Sequence, residues 1–255
     1  MSPITNWLIA SVGWRKSCII LGIVNTVSVV MLSFHINPRL NHVRSIQGNQ
    51  KTAPFDYHLL FNDSRYWLLS LVGLLVSFAY FTPLFFLPTF ATAATNGQIS
   101  PQTASLILGL LNYCSAIGRI TAGILGDCCG HINALIFVLT VSALSTIFLW
   151  GLASFATLPL IVIYAILYGL SSGGYIALFT TVIVVCIGRN NIAGISGVVL
   201  AWQAIGNFSG VIISTALLDK FGSYYAIILQ DACFFLASVA IAVVLKMVHS
   251  KRTNA

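Results

Sequence analysis

Two long stretches without any charged residue constrain this chain more than any other feature of its sequence. Residues 66–118 and 128–188 contain no Asp, Glu, Lys or Arg. The whole chain of 255 residues has twelve Lys and Arg, five Asp and no Glu, so 7% of it is charged, whereas soluble domains are about 25% charged. The 58% hydrophobic content and the six scattered Cys exclude disordered, collagen-like and disulfide-rich secreted proteins. Since a soluble fold of this length could not cover its surface with so few ions, the chain belongs in a lipid bilayer.

The number of membrane crossings follows from the length of the apolar segments. A spanning helix needs roughly 20 mainly apolar residues, and turns and polar interruptions divide the chain into seven such pieces. No period-2 alternation extends over these lengths, which argues against a β-barrel. We therefore predict an all-α polytopic membrane protein. The predicted spans are 17–34, 66–91, 102–125, 132–153, 158–187, 192–217 and 224–246.

The segments between the spans suggest how the chain is organised. Residues 4–13 are apolar but too short to cross a bilayer. We interpret 1–34 as the remnant of a preceding span followed by one transmembrane helix. Residues 66–247 are then a six-helix bundle, and residues 248–255 are a tail. The segment 35–65 is the only long polar stretch, and we predict a connecting loop there.

Orientation follows from the basic residues, which favour the cytosolic side when they lie in short loops. The side of the membrane that holds segment 35–65 and the tail carries eight Lys and Arg, whereas the other side carries three. We therefore place segment 35–65 and the tail in the cytosol. The net charge of +7 is thus an orientation signal, and we expect no nucleic-acid partner, because no basic soluble surface is available.

One turn of the predicted bundle carries the pattern G-x-L-x-D-x-x-G, at Gly123, Leu125, Asp127 and Gly130. An Asp at a turn can accept backbone N–H groups at a helix N-terminus, and such a contact could latch one conformation. A simple helix cap and turn is the alternative. The D-x-x-G part recurs at 219–222, 92 residues and three predicted helices later. A repeat after an odd number of spans is typical of inverted-topology transporters.

These patterns resemble a known family. The G-x-L-x-D-x-x-G turn is similar to the loop signature of the major facilitator superfamily, in its second-half copy, although His131 stands where the family usually has Arg or Lys. The segment 81–91, FTPLFFLPTFA, resembles the seventh helix of the monocarboxylate porter family. Residues 13–22 resemble that family's entry into its sixth helix, and residues 217–224 resemble its fungal branch. The resemblance implies that the seven spans are helices six to twelve of a twelve-helix porter.

The resemblance also implies a function. Such porters carry a small organic solute, here a monocarboxylate-like anion or related metabolite, by rocking two six-helix halves around a midplane site. They hold the substrate carboxylate with an Arg in the eighth helix, which Arg119 matches. The resemblance implies a proton as co-substrate. However, Ser115 stands where the family has the Asp that serves proton coupling, which puts that coupling in doubt. The implied partners are the bilayer and an amino-terminal half, and the implied location is the plasma or vacuolar membrane.

Arg119 also stands out without the resemblance, because it is the only basic residue well inside a predicted span. A charge at that depth costs at least ~2.5 kcal/mol unless it is paired or hydrated. It either contacts an anion in a central cavity or snorkels to the interface. Asn112, two helical turns earlier on a similar face, and Tyr80 are further candidates for the substrate site. Interhelical hydrogen bonding is the alternative role for Asn112, and packing is the alternative for the aromatic cluster around Tyr80.

Other residues suggest conformational roles. We predict that Gly123, Asp127 and Gly130 act in gating, and that Pro83 and Pro88 kink a helix by removing backbone donors. Asp231, inside the last span, is either a proton site or a hydrogen-bonded structural Asp. Gly169, Gly173 and Gly174 are interpreted as close-packing positions, with bending as the alternative.

No catalytic constellation and no metal-ligand cluster occurs in the sequence, so we predict neither an enzyme nor a cofactor. The main alternative to a porter half is a truncated, transport-incompetent fragment, or a half-transporter that needs a partner half. Alternating access needs two halves, which keeps this alternative open.

Overall fold

The computed structural model describes residues 3–34, 63–95, 99–153, 158–187 and 192–253. Within these ranges seven helical stretches are long and apolar enough to cross a membrane, and the regular structure is helical throughout. The predicted all-α polytopic class is therefore confirmed. The predicted cytosolic loop 35–65 lies outside the described residues except for its last three positions, as do the last two residues of the predicted tail 248–255.

The chain divides into two units, residues 1–57 and 58–255. The first contains α1 (Pro3–Val12) and α2 (Trp14–Ser33), which follow each other directly. Gly13 joins them with φ 83° and ψ 157°, a conformation that only glycine adopts readily. The Ser17 backbone N–H begins the ladder of α2 by donating to the Gly13 carbonyl at 3.1 Å, and the Ser17 hydroxyl donates to the same carbonyl at 2.7 Å.

The second unit contains the remaining helices. Two of its membrane spans, 64–94 and 131–153, are each built from more than one helical element. The elements are α3 (Ser64–Tyr80), α4 (Thr82–Ala94), α5 (Pro101–Cys129), α6 (His131–Leu144), a π-helix (Ser145–Trp150), α7 (Gly151–Ala153), α8 (Leu158–Ile187), α9 (Ile192–Phe221) and α10 (Tyr224–Thr253). Asp63 caps α3 through its carboxylate, which accepts the Arg65 N–H at 3.0 Å and pairs with the guanidinium. Ser100 caps α5 in the same way by accepting the Thr103 N–H.

Three helices end four or more residues beyond their predicted ends. The last span, predicted to end at 246, continues as α10 to Thr253, so the predicted tail 248–255 is helical over its described residues. The span predicted to end at residue 125 continues to Cys129, and the span predicted to end at 217 continues to Phe221. A charged Asp does not end a helix, whereas a glycine with positive φ does. Gly130 (φ 86°) and Gly222 (φ 60°) supply that ending three residues after each Asp. The span predicted at 158–187 matches α8 at both ends.

The predicted 92-residue repeat is visible in the way the helices touch. The backbone of Gly118 in α5 packs on the Leu170 carbonyl of α8 so closely that a Cβ would overlap it. The equivalent positions, shifted by 92, are Gly210 in α9 and the Phe78 carbonyl of α3, and they make the same contact. The α5–α8 and α3–α9 interfaces thus contain the same close helix–helix contact, as expected of an inverted repeat.

The turn at Gly130 provides a direct test of this architecture. Gly130→Ala should lower the stability of the bundle by about 1–3 kcal/mol, because an L-residue is strained at φ 86° and ψ 136°. Thermal unfolding in detergent measures the effect. The matched control is Gly197→Ala, at an exposed position inside α9 where a Cβ meets nothing. That variant should be neutral or slightly stabilised, and an equal loss in both variants would contradict the assignment of strain to Gly130.

Candidate functional site

A strip of polar and small residues runs along one face of α5 and is left uncovered by the rest of the bundle. Its members recur at intervals of three or four residues, so they lie on one side of the helix. They are Asn112, Ala116, Arg119, Gly123 and Asp127, and all five are exposed. We call this face the α5 polar strip. Arg119 lies near the middle of α5, well away from both ends of the helix.

A second exposed face of α5 is apolar. It consists of Tyr113, Ile117, Ile120 and Ile124, which are 54–70% exposed. A helix that shows both an apolar and a polar face meets two different environments. Lipid suits the apolar face, whereas the α5 polar strip suits water or another part of a protein.

Arg119 makes no ion pair and no hydrogen bond within the described ranges, so its charge is not neutralised there. Its guanidinium interacts electrostatically with Tyr80 of α3, whose side chain is half-buried beside Ser172 of α8. Arg119 and Tyr80 therefore lie within electrostatic range of each other, and a shared substrate site stays a prediction. Asn112 lies on the same strip, and its amide donates to the Leu108 carbonyl of its own helix at 2.8 Å.

Ser115 is not on the strip. It is 7% exposed and lies in the α5–α8 interface, where a Cβ on Gly173 would overlap the Ser115 carbonyl. Arg119 thus has no carboxylate partner one turn earlier on its own helix, and Ala116 occupies the neighbouring strip position. A proton-coupling pair of Arg119 with position 115 is not formed in this chain.

The predicted gating turn differs in detail from the expectation. Asp127 lies in the last turn of α5 rather than at a helix start, and α6 begins at Gly130 without a side-chain cap. The expectation that Asp127 caps a helix N-terminus is therefore wrong. Its side chain is 79% exposed, and its Oδ1 lies 3.9 Å from Nε2 of His131. Gly123 meets no neighbour among the described residues, whereas Gly126 packs on His131 and Leu178. A gating role for this turn stays a prediction.

The two prolines behave differently. The span 64–94 breaks at Phe81, and Pro83 occupies the first turn of α4, where a missing N–H costs little. The break leaves the Tyr80 carbonyl to accept the Tyr168 hydroxyl of α8 at 2.9 Å. The predicted kink is confirmed at Pro83, but Pro88 lies inside α4 without ending it. Gating by either proline remains untested.

The sequence profile of the Major Facilitator Superfamily matches residues 91–255. The chain belongs to the major facilitator superfamily. The MFS-type transporter pynF of Aspergillus niger is 33% identical over 178 residues, which are 68% of this chain and 38% of that protein.

Two further facilitators cover more of the chain. The aspyridones efflux protein apdF of Emericella nidulans is 26% identical over 243 residues, 95% of this chain and 45% of its own length. An MFS-type transporter of Gibberella moniliformis is 29% identical over 197 residues, 75% of this chain and 45% of its own length. The chain therefore spans less than half the length of these facilitators.

Sequence reasoning missed one polar cluster of this facilitator bundle. Behind the break, Thr82 Oγ1 and Ser214 Oγ lie 3.3 Å apart, and Gln230 donates to Ser214 at 3.1 Å. Asp231 lies beside Thr82 and is 0% exposed, yet neither of its oxygens has a hydrogen-bond partner among the described residues. The Thr82 hydroxyl is close enough to interact with the carboxyl, so both interpretations of Asp231, a proton site and a structural Asp, stay open. The cluster joins α4, α9 and α10, so no spacing in the sequence could reveal it.

Proposed function

We propose that this chain forms the carboxyl-terminal half of a facilitator that carries a small organic anion by alternating access. The α5 polar strip supports this proposal, because it places an unpaired Arg119 on an uncovered face of the bundle. A second half that packs over the strip would enclose it in a water-filled cavity at mid-membrane depth, where such a charge is tolerated. The length of the facilitator relatives, about twice that of this chain, supports the need for a second half.

Arginine at this position favours an anionic substrate group. The guanidinium is planar and can donate two parallel hydrogen bonds to one carboxylate. The Tyr80 hydroxyl, within electrostatic range of Arg119, adds a donor or acceptor for a second substrate oxygen. Monocarboxylates are the favoured class because segment 81–91 resembles the monocarboxylate porters. The name of apdF supports a second candidate, the efflux of an organic metabolite.

Reconstitution tests the proposal. Proteoliposomes that contain this chain together with a complementary amino-terminal half should exchange a labelled monocarboxylate across the membrane, and vesicles with either half alone should not. The neutral amide of the same acid should be exchanged at a much lower rate, because it cannot form the charged pair with Arg119. Exchange by this chain alone would refute the half-porter assignment. Equal exchange of acid and amide would refute the anion assignment.

A further inference from the structure

The most unusual buried group of the bundle is the carboxyl of Asp231 in α10. It is 0% exposed, and neither oxygen is hydrogen-bonded within the part of the chain that the structure describes. Two buried donors lie nearby: the Trp150 indole N–H, which has no hydrogen-bond partner there, and the Tyr164 hydroxyl, whose nearest polar neighbour is the Thr146 side chain. The rings of these two residues stack at 5.3 Å, and Tyr164 interacts electrostatically with Asp231. Unsatisfied buried groups of this kind are rare in proteins and often mark a functional site.

The groups around Asp231 determine its charge. From α8, Tyr164 and Tyr168 face it, and from α4 the Thr82 hydroxyl lies beside it. No lysine, arginine or histidine occurs in α3 beyond Arg65 at its start, or in α4, the π-helix, α7 or α8. The His131 of α6 lies at the cytosolic turn, and the Asp219 and Lys220 of α9 are exposed in its last turn. With no cation facing it, the buried carboxyl is stable as the neutral, protonated acid.

Contacts connect Asp231 to the α5 polar strip. The Tyr168 ring packs against Phe235, one helical turn after Asp231 in α10, with ring centroids 6.1 Å apart. Its hydroxyl lies within electrostatic range of Asp231 and donates to the Tyr80 carbonyl at the helix break. Tyr80 in turn interacts with Arg119. The Tyr168 hydroxyl has one proton to donate, so it cannot donate to the Tyr80 carbonyl and to an Asp231 carboxylate at the same time. An ionised carboxylate is the stronger acceptor of the two.

We propose that Asp231 is a proton-binding site, and that its protonation decides which acceptor the Tyr168 hydroxyl takes. With the proton bound as the Asp231 O–H, Tyr168 donates to the Tyr80 carbonyl and holds the α3–α4 break closed. When that proton leaves to water, the carboxylate accepts the Tyr168 hydrogen bond and the Tyr80 carbonyl is released. The break then loosens beside Arg119. The link to transport rests on the proposed function, whereas the proton site itself does not.

Infrared spectroscopy of the purified chain in lipid nanodiscs tests the proton site. With five Asp and no Glu, few side chains can produce the C=O stretch of a protonated carboxylic acid. The wild-type chain should show this band at pH 7, and the band should be lost in Asp231→Asn. The matched control, Asp219→Asn, removes an exposed carboxylate and should keep the band in full. Absence of the band from the wild-type chain at pH 7, or its persistence in Asp231→Asn, would overturn the proposal.

Hydrogen exchange tests the switch. Amides of residues 78–86 should exchange at least tenfold faster, after correction for intrinsic rates, above the pH at which the infrared band disappears. In Asp231→Asn and Tyr168→Phe this pH-dependent step should be absent, while Tyr168→Phe retains the infrared band. A step of equal size in all three proteins would overturn the switch. Both measurements use the chain without substrate or partner half, so a failure of anion exchange would leave their outcome unchanged.

Discussion

Arg119→Ala is expected to abolish monocarboxylate exchange by the reconstituted facilitator while leaving membrane insertion intact. Arg119 is the one unpaired cation of the α5 polar strip, and no other guanidinium or ammonium group within the described ranges lies on that face. Removing one partner of a hydrogen-bonded charge pair costs about 2–5 kcal/mol, so the apparent affinity for the anion should fall roughly 30-fold or more. Uptake measured over a range of substrate concentrations gives this change.

Two control variants test whether the effect is specific to position 119 and whether it requires the guanidinium group or only a positive charge. Lys220→Ala removes an exposed cation from the last turn of α9, outside the strip, and should leave uptake unchanged. Arg119→Lys keeps the charge but loses the two parallel donors, so it should fall between the wild type and Arg119→Ala. If Arg119→Ala transports the anion with wild-type affinity, Arg119 is not the substrate contact.

Gly173→Ala is expected to produce the largest loss of stability. A single Cβ at this position would overlap the Ser115 carbonyl of α5, and its next neighbours are backbone atoms of the same residue. A backbone carbonyl cannot rotate away as a side chain can, so the helices must separate. Overpacking of this kind usually costs 1–3 kcal/mol, and here we expect at least about 3 kcal/mol. Thermal unfolding in nanodiscs measures the loss.

Gly123→Ala is the matched control, because Gly123 lies in α5 with open space where its Cβ would be. Its stability should stay the same or rise by up to ~1 kcal/mol through helix propensity. Separation of α5 from α8 also moves Arg119, which lies one turn from Ser115, so Gly173→Ala should lose anion exchange as well. If Gly173→Ala is as stable as the wild type, α5 and α8 are packed less closely than the structure indicates.

The sequence predicted the helices because apolar segments of spanning length leave little alternative. The match at 158–187 rests on Pro159 and on the polar residues after Ile187. The errors lay at Asp127, Asp219 and Lys246, charged residues that were taken as helix ends. A single Asp in the last turn is only mildly unfavourable, so the helix continues until a glycine takes positive φ.

The site was predictable only where its residues share a helix. Asn112 and Arg119 could be placed on one face from their spacing, and the structure confirms that placement. The proximity of Tyr80 to Arg119 agreed with the family resemblance but depends on how α3 and α5 each pack on α8. The setting of Asp231 could not be predicted, because it depends on a break at Phe81 and on side chains from three other helices. Burial of a polar residue depends on tertiary packing, which local patterns do not encode.

The uncovered α5 polar strip has a consequence for the lifetime of the protein in a cell. A bundle made without a partner would present Arg119 to lipid, at a cost of at least ~2.5 kcal/mol. A loss of stability of this size can change the abundance of a protein in a cell several-fold, so we expect a solitary chain to be degraded sooner than one that has found its complement. Abundance of this chain would then follow the supply of the proposed other half, and Arg119, the proposed anion contact, would also report whether assembly is complete.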